Sequence, residues 1–141
     1  MKKGFLSLAL VLGAVLCLTG CGLGNKPATL TCTQKVSTVD VELVSNFVGN
    51  KIESMSMKYD MDLSKYSDTL VNAIGKQDYC KTVQNAMSQY TLVNCQQTIE
   101  NKHMIVSAGI DTSKISSKDL TGSPSATKAE LEKQGYTCTL K

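Results

Sequence analysis

The stretch Val39-Asp40-Val41-Glu42-Leu43-Val44-Ser45-Asn46-Phe47-Val48-Gly49-Asn50-Lys51-Ile52-Glu53-Ser54-Met55-Ser56-Met57-Lys58-Tyr59-Asp60-Met61 holds two alternating runs about one turn. In the first run Val39, Val41, Leu43 and Phe47 alternate with Asp40, Glu42 and Asn46, the period-two pattern of a half-buried strand. Gly49-Asn50 is a two-residue hairpin turn, because glycine supplies a positive φ at the first central position. The returning run carries Met55, Met57, Tyr59 and Met61 on one face. These residues predict an antiparallel hairpin with one apolar side.

Upstream, Leu30-Thr31-Cys32-Thr33-Gln34 alternates in the same way and predicts a strand with Leu30 and Cys32 facing inward. Downstream, Leu70, Val71 and Ile74, then Cys80, Val83, Met87 and Tyr90, take helical spacing from Ser67 to about Gln89, with Gly75 placed to bend or split the helix. A second hairpin is predicted from Tyr90–Gln97 and Met104–Ile110 around Glu100-Asn101-Lys102. Ser123-Pro124 reads as the cap and first turn of a last helix, Gly135 ends it, and Tyr136–Leu140 closes the chain as a strand. Met61-Asp62-Leu63-Ser64-Lys65-Tyr66-Ser67 parallels Ile110-Asp111-Thr112-Ser113-Lys114-Ile115-Ser116. Asp and Ser side chains bond nearby backbone N–H groups, so each copy is expected to stop a strand and lead toward a helix. The sum is one α+β domain over residues 28–141: a largely antiparallel sheet of two hairpins plus terminal strands, with two or three helices packed on one face.

The first residues have another character. Lys2 and Lys3 precede an apolar stretch from Phe5 to Leu18, the layout of a secretory leader, and the run is too short for the roughly 20 apolar residues that span a bilayer. Leu18-Thr19-Gly20-Cys21 matches the bacterial lipobox, in which the cysteine thiol receives a diacylglyceryl group. Residues 1–20 are therefore expected to be a lipoprotein signal peptide, Cys21 the lipidation site, and residues 21–27 a lipidated tether. Two acyl chains hold a protein stably on a membrane where one holds it only marginally. The expected location is outside the cell, anchored by lipid to the outer face of the bacterial membrane, or to another envelope membrane where the organism has two.

The 15 basic residues are all lysine; without Lys2 and Lys3, 13 remain against 12 acids. That near-neutral balance, without a basic cluster, excludes a nucleic-acid-binding role. Cys17 leaves with the leader and Cys21 takes the lipid, so Cys32, Cys80, Cys95 and Cys138 remain. Export favours disulfides over free thiols, and four cysteines allow three pairings. Since Thr-Cys-Thr occurs on both the first and the last strand, we pair Cys32 with Cys138 and hence Cys80 with Cys95.

The candidates for chemistry are weak. Asp60-Met61-Asp62-Leu63-Ser64 imitates the start of a calcium loop but has Lys65 and Val71 where the loop requires Gly and Glu. Met55, Met57 and Met61, with Met104 or His103, form a conceivable Cu(I) set, yet methionines on one strand face are better read as core filling. His103 is the lone histidine, beside a turn, and is expected to be exposed. No Cys-x-x-Cys, nucleophile elbow, phosphate loop or zinc-protease motif occurs, so no catalytic, cofactor or metal residue is assigned.

The lipobox at Cys21, the Gly49-Asn50 hairpin, the Ile110-Asp111 strand end and the Gly135-Tyr136 strand start resemble the YehR-like family of small bacterial lipoproteins. The resemblance covers roughly residues 28–141 in layout and implies no assigned activity and no catalytic residues. The expected function is that of a membrane-anchored, non-catalytic envelope binding domain with an unknown partner. A small inhibitor or accessory factor of an envelope enzyme, or an envelope hydrolase, are the alternatives.

Overall fold

A computed structural model describes residues 26–141. The expected signal peptide, Cys21 and most of the expected tether lie outside the described residues. Six strands, all paired antiparallel, form one sheet: β1 (Pro27–Val36), β2 (Val39–Val48), β3 (Lys51–Asp62), β4 (Leu92–Glu100), β5 (His103–Ile110) and β6 (Thr137–Leu140). Their order across the sheet is β4-β5-β3-β2-β1-β6. Among the described residues three α-helices interrupt the strand sequence, α1 (Asp68–Gly75), α2 (Tyr79–Ala86) and α3 (Pro124–Lys133), with a short 3-10 turn at Thr112–Lys114. The class is α+β.

The alternation in β2 and β3 sets the core. Leu43 pairs with Met57, Val41 with Tyr59 and Ser45 with Met55, and β5 continues the rows with Ala108, Val106 and Ile110. Met55, Met57 and Met104 are buried and Met61 packs at the edge of the same cluster, so the methionine stripe fills the core. Leu131 and Thr127 of α3, with Tyr90 after α2, close over Leu43, Met55 and Ile110, around a gap of about 20 Å³. Burial pushes the Tyr59 phenol up and that of Tyr136 to about 12, so both stay neutral at physiological pH.

The first strand is longer than the sequence pattern indicates and begins at Pro27, which pairs with Val48. Residue 27 therefore belongs to the sheet rather than to the tether. Proline suits a strand's first residue, where its missing N–H breaks no ladder. The three turns of the sheet use left-handed backbone at Ser37, at Gly49, and at Asn101 and Lys102 together. The last pair is the two-residue geometry that matches strand twist.

The single long helix expected from Ser67 to Gln89 is two short ones. Ser67 caps α1 by accepting the Leu70 N–H, and Asp78 caps α2 by accepting the Lys81 N–H at 2.9 Å. Gly75, the last residue of α1, lies under β4: a Cβ there would come within 2.6 Å of the Ile99 side chain. A close approach, not a bend within a helix, is what this glycine serves.

The internal repeat maps onto a symmetry of the sheet. Asp62 accepts the Ser64 N–H at 2.8 Å and Asp111 the Ser113 N–H at 3.1 Å, so both copies form the same side-chain turn. The spacing that carries Met61 onto Ile110 carries Met55 onto Met104, and the pairs Met55–Ile110 and Met61–Met104 both occur. A local two-fold therefore passes between β3 and β5 near the Lys58–Ser107 pair. It puts the two turns at opposite ends of the sheet.

Candidate functional site

Because side chains alternate along a strand, residues interleaved with the core ones point to the sheet's other side. Three rows follow from the register: Thr137, Thr33, Glu42, Lys58 and Ser107; Lys35, Asp40, Asp60 and Ile105; and Thr139, Thr31, Val44 and Ser56. None of these residues is buried. The sheet is thus covered on one face, and its other face is a polar surface of mixed charge.

Across β6, β1, β2 and β3 this surface is concave. A cleft of about 460 Å³ is lined by Thr33, Lys35, Asp40, Glu42, Lys58, Asp60 and Thr137. Lys35 and Asp40 form an ion pair at 3.0 Å beside the β1–β2 turn. At 65% and 58% exposure it contributes little stability and mainly fixes where the charges stand. The gap at the centre of the core is smaller and mainly apolar, so of the two cavities the cleft is the larger and the more polar.

His103 stands at the top of the same face. It is the first residue of β5, pairs in register with Asp62, and reaches diagonally to Asp60, whose Oδ1 lies 2.7 Å from Nδ1. The hydrogen bond to Asp60 raises the imidazole above its ordinary pKa, and the charges of Asp60, Asp62 and Asp40 add to that. Hydrogen bonds from Ser64 hold the Asp62 carboxyl below the usual carboxylate range. The exposed turn residue expected from the sequence is therefore a half-exposed strand residue with an acid partner. The partner sits 43 residues away in the chain, which is why the sequence near His103 does not reveal it. Asp60 and Asp62, the two carboxylates of the calcium-loop imitation, are occupied with His103 and Ser64.

The four cysteines of the domain are joined in two bridges, Cys32–Cys138 and Cys80–Cys95. Thr29 and Lys141 exchange both backbone hydrogen bonds, so two-residue alternation makes Cys32–Cys138 a non-hydrogen-bonded pair, the closer kind. Its Cα atoms are 4.1 Å apart. This bridge is buried and closes β6 onto β1. Cys80–Cys95, with Cα atoms 5.9 Å apart, ties α2 to the edge strand β4 at a bulge where Asn94 is left-handed. Gln97 adds to that attachment, donating to the carbonyls of Gly75 and Gln77 and accepting the Tyr79 N–H. The sequence pattern gives no hint of this glutamine, whose role depends on three backbone groups along the α1–α2 junction.

No family model matches the chain, and no curated protein matches it. Among solved structures, the NMR structure of the Escherichia coli YehR protein superposes with a TM-score of 0.53 at 12% identity, covering 83% of this chain and 94% of that one. The fold is YehR-like. An NMR structure of a protein from Streptococcus pneumoniae TIGR4 matches with a TM-score of 0.50 at 11% identity, over 86% of this chain and 87% of the other. Both cover nearly the whole YehR-like domain, so the likeness is to a complete sheet and not to one hairpin. At such identity the likeness concerns backbone arrangement alone.

Proposed function

We propose that this chain is an exported lipoprotein, diacylated at Cys21, whose YehR-like domain works without catalysis by presenting its uncovered sheet face to an envelope partner. The observation that carries the proposal is the one-sided sheet: a six-stranded surface of threonine, lysine and carboxylate side chains, concave over β6-β1-β2-β3. Two cross-links support the export half, since such bridges persist outside the reducing cytosol. Lys2-Lys3, the apolar run and Leu18-Thr19-Gly20-Cys21 support the anchor. The two hairpins and the helices over the apolar side are in this view a scaffold.

Two measurements test it. Mass spectrometry of the mature N-terminus should find a diacylglyceryl mass on Cys21, and Cys21→Ala should leave an unprocessed or soluble product. A mature N-terminus elsewhere without acyl mass overturns the anchor. A photo-crosslinker at Lys58 or Thr33 should capture a partner in intact cells, whereas one at Ser125 on α3 should not; equal yields from both sites overturn the face assignment. Capture of a wall hydrolase would make the protein an accessory factor or inhibitor. The His103–Asp60 pair is the one observation that favours the domain being itself a hydrolase. Ser107, on the same strand and face, lies four residues along, about 13 Å at the strand rise and too far for a shared proton.

A further inference from the structure

The anchor, taken from the proposal above, combines with the fold to orient the domain. Lys26 is the first described residue, and the five residues beyond Cys21 span at most about 18 Å even when fully extended. The end of the sheet that carries Lys26 is therefore held beside the bilayer. That end is assembled by backbone hydrogen bonds: Gly49 N–H to the Lys26 carbonyl at 3.1 Å, Gly122 N–H to that of Asn50 at 2.7 Å, and the reciprocal Thr29–Lys141 pair. Lys51 bridges to Thr121, which brings the turn holding Lys118 to the same place.

Its charges are unequal. Lys26, Lys51, Lys114, Lys118 and Lys141 gather there against Glu53, Asp111 and Asp119. Lys51 and Lys114 are paired with Glu53 and Asp111, and Asp119 accepts from Ser116. Lys26, Lys118 and Lys141 form no ion pair among the described residues. Val48, 44% exposed and paired with Pro27, adds an apolar side chain between them. The opposite end reverses the balance, with Asp40, Asp60, Asp62, Asp68 and Glu100 against Lys35, Lys65 and Lys102. The tether is short enough to keep the basic end within about two Debye lengths of the headgroups.

We infer that this basic end is a second membrane contact, in which Lys26, Lys118 and Lys141 meet anionic phospholipid headgroups and Val48 enters the headgroup layer. The strands then stand on the membrane. Twelve residues of β3 carry Asp62 and His103 about 40 Å outward, and the open face stands roughly normal to the bilayer, accessible along its length.

The chain contains no tryptophan, so single substitutions report without background. The full lipidated protein carrying Val48→Trp, or Ser117→Trp in the neighbouring exposed turn should the first fail to fold, is placed in vesicles of brominated phosphatidylcholine with or without phosphatidylglycerol. Emission should be quenched severalfold more when phosphatidylglycerol is present, and Lys26→Glu with Lys118→Glu should abolish the difference while the protein still floats with the vesicles. Tyr66→Trp, at the far end, should stay unquenched throughout. Floating protein whose residue 48 and 117 probes are both unquenched, or are quenched equally with and without anionic lipid, overturns the contact while leaving the anchor standing. Protein that does not float overturns the anchor and the contact with it.

Discussion

His103 shows how one side chain acquires a pH response from a strand register. Its pKa is raised in the folded protein chiefly by the hydrogen bond to Asp60, so the charged imidazole is favoured by folding. The sign follows by linkage: the stabilisation is complete below the unfolded value of about 6.5 and is lost as pH rises through the raised folded value. An NMR titration of the single histidine should give a midpoint above 6.5, and Asp60→Asn should lower it. The side chain is 44% exposed, so the thermal midpoint should move little while the titration moves clearly. An unshifted midpoint in the parent protein would remove the pair. Nothing within ten residues of His103 announces this behaviour, because Asp60 becomes a neighbour only when β3 and β5 pair.

For the elements, alternation was the informative signal. β2 and β3 were legible because hydrophobic residues at every second position can bury only as strands with one face inward. Met57 lies at the centre of that face, opposite Leu43 and Ala108 and 2% exposed. Met57→Asp should unfold the domain at room temperature or bring its melting down steeply, since an unpaired carboxylate would replace a buried thioether. Met57→Leu should cost less than about 1.5 kcal/mol. Circular dichroism melting of both variants checks this, and an unaltered melt for the aspartate variant would contradict the burial. The helix between the hairpins was less legible. Helical spacing runs on both sides of the polar residues 76–78, from Leu70 to Ile74 and from Cys80 to Met87, and the passage of Ile99 over Gly75 and the capping by Asp78 divide the helix there.

At the scale of the whole molecule the bridges act on chain topology. Cys32–Cys138 encloses a loop of 106 residues and Cys80–Cys95 one of 15, for which loop entropy gives about 4.7 and about 3 kcal/mol as upper guides. Replacing Cys32 and Cys138 together by Ala should therefore lower denaturant stability more than replacing Cys80 and Cys95. The first change frees β6 and with it the chain's C-terminal strand. The second frees α2 from the edge strand, where Gln97 still holds it. Non-reducing peptide mapping should recover Cys32 with Cys138 and Cys80 with Cys95, and a larger loss from the shorter bridge would show that strain or residual structure outweighs loop length. Mild reductant should open Cys80–Cys95 first, since both its residues are partly exposed while Cys32 and Cys138 are buried.

By itself the sequence determined the class of the fold, the strand faces and the cap at Ser123, because alternation and capping are local: they depend on neighbours within about four residues. It also carries the patterns expected of a leader and a lipobox, which are linear signals. Only the tertiary structure decided that β1 also joins β2, that one sheet face stays open, that His103 faces Asp60, and that five lysines collect at the end nearest the expected anchor. Each of these is a meeting of residues far apart in the chain. Which residues meet is fixed by the order in which strands pair and by burying a common apolar face, a property of the assembled sheet that no short stretch of sequence contains.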